Sequence, residues 1–187
     1  MNNIKRYAIV MAIGVLMNEF LTVIVSQFKL PVWLDVTGTM MTSFILEPAA
    51  GLLVGLVNNF YLALSTGDSS KLIYFSVSAA VAIITGCIVR RDGHFKLKRI
   101  LGAIALIIVV STVLSATMTL WRTGVPDTYW ENFYYQYFVD SGINNYLSTY
   151  MGVFVVKFFD TFASAGIVTL VYLLLPKSLK FNLENKE

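Results

Sequence analysis

Three ionisable residues, Glu19, Lys157 and Asp160, interrupt long apolar runs. A charge at the centre of a bilayer costs about 2.5–3.5 kcal/mol on insertion scales, so such residues face a cavity or a partner. Lys157 and Asp160 are three apart and share a helix face. At about 1.5 Å per helical residue, Glu19 lies about 13.5 Å below Phe28, and Lys157 about 16 Å beyond Tyr146. The similar depths allow a Glu19–Lys157 pair across two helices. One reading is a polar pocket open to one side, with Asn18, Asn58 and Asn59 as further liners. The competing readings are a structural Lys157–Asp160 ion pair and a Lys157 that snorkels to the surface. A proton relay would need a chain of carboxylates, which the sequence does not show.

A second group lies in the stretch 121–145, which reads as a polar, aromatic loop. Trp121, Tyr129, Trp130, Phe133, Tyr134, Tyr135, Tyr137 and Phe138 crowd it. Such rings form an interfacial belt, or a lid that stacks on a flat ligand. Trp121, Arg122 and Tyr135 join the candidate ligand residues on the second reading. Asp35 is a further candidate, in the stretch 31–38, which reads as a loop or re-entrant segment with Trp33 as an aromatic anchor.

Other chemistry is poorly provided for. The single histidine, His94, sits in a basic loop, and the single cysteine, Cys87, sits in an apolar run where packing is its expected role. They cannot build a metal centre between them. The sequence carries no phosphate-binding glycine loop and no Gly-x-Ser-x-Gly elbow. No catalytic residue and no cofactor is expected, and any ATP-driven role requires partner subunits.

The elements that must position these residues follow from composition. Of 187 residues, 57 % are hydrophobic and only 13 % are charged, against about 25 % charged in soluble domains. Mean hydropathy is +0.70. A soluble enzyme, a nucleic-acid-binding protein and a disordered chain are excluded. The expected fold is an all-α membrane protein, a single transmembrane domain over 1–187, with six spans near 7–28, 34–46, 49–64, 72–89, 100–120 and 146–175. Glu47-Pro48 breaks the second from the third, because proline lacks a donor and disfavours a helical residue before it. The first run continues through 21–25 without a small-x-small cleavage site, so it reads as a retained helix.

Six spans place both termini on one side. That side collects Lys5, Arg6, Arg90, Arg91, Lys96, Lys98, Arg99, Lys177, Lys180 and Lys186; the other collects Lys29, Lys71 and Arg122. By the positive-inside rule the first side is cytoplasmic. Asp35, Asp68, Asp127, Glu131 and Asp140 fall on the outer side.

Small residues four apart let helices approach closely. Gly51 and Gly55 read as internal packing. Ala8 and Ala12 lie at the cytoplasmic start of the first helix.

The segment Leu34-Asp35-Val36-Thr37-Gly38-Thr39, followed by Leu46-Glu47-Pro48-Ala49-Ala50-Gly51 and by Gly55 to Asn58, resembles a pattern of the substrate-binding S components of energy-coupling factor (ECF) vitamin transporters. There it reads Leu-Asp-x-x-Gly-Thr and Leu-Gly-Pro-x-x-Gly-x-x-x-Gly-x-x-x-Asn; Glu47 stands where glycine usually precedes the proline. The length, the six spans, the basic loop after the fourth and the final Leu175-Pro176 also resemble that family. The resemblance implies a subunit of a bacterial cell membrane that binds a micronutrient from outside. It then docks on a transmembrane T component driven by two cytoplasmic ATPases, and topples to release its cargo. It also implies docking through an Ala-x-x-x-Ala motif, matched by Ala8 and Ala12. Aromatic rings with Lys157, Asp160 and Arg122 suit a polar heteroaromatic vitamin. The alternatives are a solitary secondary carrier and a membrane sensor or accessory subunit that moves nothing.

Overall fold

The computed structural model describes residues 3–89, 97–176 and 178–179. His94 and the basic residues Arg90, Arg91, Lys96, Lys177, Lys180 and Lys186 lie outside the described residues. The regular structure of the described residues is all helical: α1 (Asn3–Phe28), α2 (Thr37–Ile45), α3 (Pro48–Thr66), a 3-10 turn (Ser69–Tyr74), α4 (Phe75–Ile84), a π turn (Thr85–Val89), α5 (Leu97–Arg122), α6 (Tyr129–Asp140) and α7 (Asn145–Leu174).

The bundle is inside out relative to a soluble protein. Exposed positions carry Leu16, Phe20, Phe60, Leu64, Val109 and Leu174, whereas Asn18, Thr37, Thr39, Asn59, Ser148, Asp160 and Ser164 are buried. An apolar exterior of this extent is unstable in water and suited to lipid. Among the described residues five helical segments are long and apolar enough to cross a membrane: Asn3–Phe28, Pro48–Thr66, Ser69–Val89, Leu97–Arg122 and Asn145–Leu174. The chain is a multi-pass membrane protein by this criterion.

The segment expected as a span at 34–46 is different. Its helix, α2, has 9 residues and is about 13.5 Å long, less than half the thickness of a hydrocarbon core of ~30 Å. It is preceded by an irregular leg, 30–36, that folds back along α1. The Leu30 amide donates to Val25 O (3.1 Å), the Gly38 amide to Asn18 Oδ1 (2.6 Å) and Arg6 Nη2 to Ile45 O (3.3 Å). The leg and α2 together therefore retrace α1 from near its last turn to its first.

Close approach makes this return leg fit. A Cβ on Gly38 would overlap the backbone of Gly14, and one on Gly51 would overlap the Ser43 side chain. Hence α1 meets α2, and α2 meets α3, at backbone distance. Gly55 meets Ser78 and Thr39 in the same way, so Gly51 and Gly55 are internal packing residues. α3 starts with Pro48 at its first turn and stops at Gly67, whose φ of 66° is the left-handed conformation that favours glycine.

The apolar core lies at the end of the bundle that holds Tyr7, Ile45, Leu46, Val89, Ala103, Tyr172 and Leu175. The described basic residues Lys5, Arg6, Lys98 and Arg99 belong to this basic end. The opposite, acidic end is roofed by α6, so the stretch 121–145 is not the simple loop expected. α6 lies on α7 because Gly152 leaves room for the backbone of Glu131 and Tyr135. Cys87 is exposed rather than packed in the core, because it falls in the π turn on the outer surface.

Candidate functional site

The irregular leg 30–36 creates a local problem: its inner amides, those of Trp33 and Leu34, have no helical partners. In an apolar surrounding each unsatisfied group costs several kcal/mol. Side chains from the neighbouring helices solve it. Asp160 Oδ1 of α7 accepts from the amides of Trp33 (2.9 Å) and Leu34 (2.7 Å). Asn18 of α1 accepts from Gly38 and donates through Nδ2 to Thr39 Oγ1 (3.2 Å). Asn58 Nδ2 of α3 donates to Asp35 O (3.2 Å). Leu34 itself sits at φ 56°, a conformation that costs a non-glycine residue about 1–2 kcal/mol, and the Asp160 bond holds it there.

The leg and its supports form one wall of a cavity of about 340 Å³ at the acidic end. This is at the lower end of the range of about 300–1,000 Å³ for small-molecule sites. α1 contributes Glu19 and Thr22; the leg contributes Trp33, Asp35 and Val36; α3 contributes Asn58 and Leu62. Lys71 and Tyr74 come from the 3-10 turn, Val77 and Ser78 from α4, and Ser115, Thr119 and Arg122 from α5. Asp127, Thr128 and Glu131 complete it above, and Lys157 of α7 reaches it from below.

The roof is held by polar bonds. Arg122 pairs with Asp68 Oδ2 (3.4 Å) and with Asp127, and its guanidinium lies 5.8 Å from the centroid of the Tyr74 ring. Glu131 Oε1 accepts from Trp33 Nε1 (3.3 Å) and Oε2 from Thr128 Oγ1 (3.1 Å). Trp130 Nε1 donates to Lys29 O (2.7 Å). Together these tie α6 to the leg. Burial pushes the Glu131 carboxyl above its ordinary range, against the pull of Lys157 and its two hydrogen bonds. The Asp68 carboxyl is held below its ordinary range, chiefly by the Ser70 hydroxyl, with the Ser70 amide, Arg122 and Lys71 adding to it.

Lys157 is 6 % exposed. It forms no hydrogen bond or ion pair with the described residues, so neither a Glu19–Lys157 pair nor a Lys157–Asp160 pair is present. Nor does Lys157 snorkel to the surface. Its charged neighbours, Asp160, Asp35 and Glu131, surround it without pairing with it.

The cavity thus brings together Glu19, Asp35, Asn58, Arg122 and Lys157 from the candidate ligand residues. The others lie elsewhere. Asn18 and Asp160 hold the leg. Asn59 donates to Gly55 O and to Ser78 Oγ (both 2.8 Å) and ties α3 to α4. Tyr135 is buried against Gly152, and Trp121 is 76 % exposed on the outer surface. Sequence reasoning missed Glu131, Asp127, Tyr74 and Lys71 as cavity residues. The signal for Glu131 was its spacing: Glu131 and Tyr135 are buried four apart, while Tyr129, Phe133 and Tyr137 are exposed four apart. Among the described residues no cluster of three or more histidine, cysteine or acidic side chains is placed to hold a metal ion.

No protein-family model matches this chain, and neither a curated protein nor a solved structure matches it. The functional reading therefore rests on the site and the sequence pattern.

Proposed function

We propose that the chain is the substrate-binding S component of an ECF-type transporter in a bacterial cell membrane. It takes up a vitamin or related micronutrient, with ATP hydrolysis by two partner ATPases coupled through a T component. The observation that carries this reading is the cavity at the acidic end, floored by Lys157, which is buried and unpaired among the described residues, and roofed by α6 and Arg122. A partly open chamber at one end of a membrane bundle, mainly apolar with a few charged groups on its walls, has the make-up of a small-molecule binding site.

In this reading the return leg and α2 act as the second of six crossings. Irregular backbone at membrane depth is tolerated there because it is buried in protein. The basic end faces the cytoplasm with both termini and the acidic end faces outside, so the solute enters from outside. Ala8 and Ala12 are exposed on α1 near the basic end, a free strip of small side chains on which a T component can dock.

The test is uptake by cells that express the chain with a T component and two ATPases. Ala8→Trp or Ala12→Trp abolishes uptake and leaves solute binding intact; loss of binding in a folded variant would overturn the docking role. Uptake into ATP-free liposomes without partners would mark a solitary carrier instead. Binding with no uptake in any reconstitution would mark a sensor.

A further inference from the structure

The charges of the cavity select among solutes, on the reading of the cavity as a solute site. Four carboxylates line it, Glu19, Asp35, Asp127 and Glu131, with three cations, Lys71, Arg122 and Lys157. Several are already satisfied. The terminal nitrogens of Arg122 are shared between Asp68 and Asp127, leaving its buried Nε without a partner among the described residues, and Glu131 spends one oxygen on Trp33 and the other on Thr128. Asp160, beside the cavity, spends Oδ1 on two amides.

What remains unsatisfied carries both signs. Lys157, 6 % exposed as a residue, has no hydrogen-bond or ion-pair acceptor for its ammonium among the described residues. Asp35 Oδ1 is buried without a donor. Glu19 forms no hydrogen bond with the described residues and shares its field with Asp35. A purely anionic solute would gain Lys157 but meet the field of Asp35, Glu131 and Asp160. A purely cationic solute would gain Glu19 and Asp35 but meet Lys157. A solute with both kinds of group meets neither repulsion. Trp33 and Tyr74, each fixed by a bond from its polar atom to Glu131 and Thr119 (3.3 and 3.2 Å), supply aromatic wall between the charged groups.

We infer that the cavity binds a small amphoteric molecule, which presents an anionic oxygen to Lys157 and a protonated nitrogen to the Glu19 and Asp35 carboxylates. Asp35 and Lys157 are then the specificity determinants, and Glu19 strengthens the hold on the nitrogen.

The experiment uses the full chain, purified gently in detergent, incubated with the small-molecule fraction of a cell extract and weighed by native mass spectrometry. The adduct is released in denaturing solvent and its electrophoretic mobility followed from acid to alkaline pH. The expected solute moves as a cation in acid and as an anion in alkali. Its affinity falls about 10- to 100-fold in Lys157→Met, the loss of one charge-assisted hydrogen bond, and about 10-fold in Glu19→Gln. Both variants are checked by thermal melting, and Glu19→Gln, whose side chain bonds to no described residue, is the safeguard if Lys157→Met fails to fold. A solute of one charge sign or none, or undiminished binding in a folded Lys157→Met and in Glu19→Gln, overturns this inference while leaving solute binding in place. A wild-type protein that takes up no adduct overturns the solute-binding reading and this inference with it.

Discussion

Replacing Asp160 tests whether this carboxylate serves the backbone rather than the solute. Its Oδ1 accepts from the part-buried amide of Trp33 at 2.9 Å and the buried amide of Leu34 at 2.7 Å. Asp160→Leu removes the acceptor while keeping most of the volume. Each orphaned amide costs about 1–3 kcal/mol, so the pair costs about 4 kcal/mol. Asp160→Asn keeps a carbonyl oxygen in place and loses only the charge assistance, about 1 kcal/mol. Both variants equally remove a negative neighbour of Lys157, so their difference isolates the amide acceptor. A difference of about 3 kcal/mol corresponds to about 6–12 °C in melting temperature for a chain of this size. Tryptophan fluorescence reads the melt directly, because Trp33 donates one of the two bonds. Melting of the leucine and asparagine variants within about 2 °C of each other would refute the assignment.

Two further predictions come from packing and titration. Gly38→Ala forces a Cβ into the backbone of Gly14, which cannot rotate away; it lowers the yield of monodisperse protein on size exclusion, whereas Gly166→Ala, where a Cβ meets nothing within 4 Å, leaves yield unchanged and stabilises α7 by up to about 1 kcal/mol. Glu131 has a folded-state pKa raised by burial, so the folded chain holds its proton more tightly than the unfolded chain, and stability falls as pH rises from the ordinary glutamate pKa through the raised one. Glu131→Gln, which keeps an acceptor for Trp33, removes that fall. Melting curves taken across this interval should therefore diverge, with wild type dropping below the variant as pH rises; parallel curves would contradict the assignment.

The sequence exposed the charged residues more readily than their partners. Lys157 was legible because an ammonium in an apolar span needs a polar surrounding, and its place on the cavity follows from that need. Asp160 was equally conspicuous, and the shared helix face suggested an ion pair. Its actual partners are two amides about 125 residues away, in a leg whose irregular path no local pattern encodes. Asn18 belongs to the same case: a buried amide side chain in a membrane helix has many uses, and capping a neighbouring return leg shows no periodicity. The Glu47-Pro48 break was readable from backbone sterics. A loop or re-entrant segment over 31–38 and a short helix after it were readable too, and α2 begins at Thr37; the path of the leg along α1 was not, because no local pattern encodes it. α6 hid in its own composition, since aromatic residues at a membrane interface also occur in loops.

The cavity between Lys157, Asp35 and α6 is proposed to hold a solute. The most direct measurement is an experimental density map of the protein saturated with the adduct seen by mass spectrometry. Density is expected inside the cavity, within hydrogen-bond distance of Lys157 Nζ and of the Glu19 or Asp35 carboxylate. A solute seated outside the cavity, or a cavity holding only water while the adduct is bound elsewhere, would contradict it.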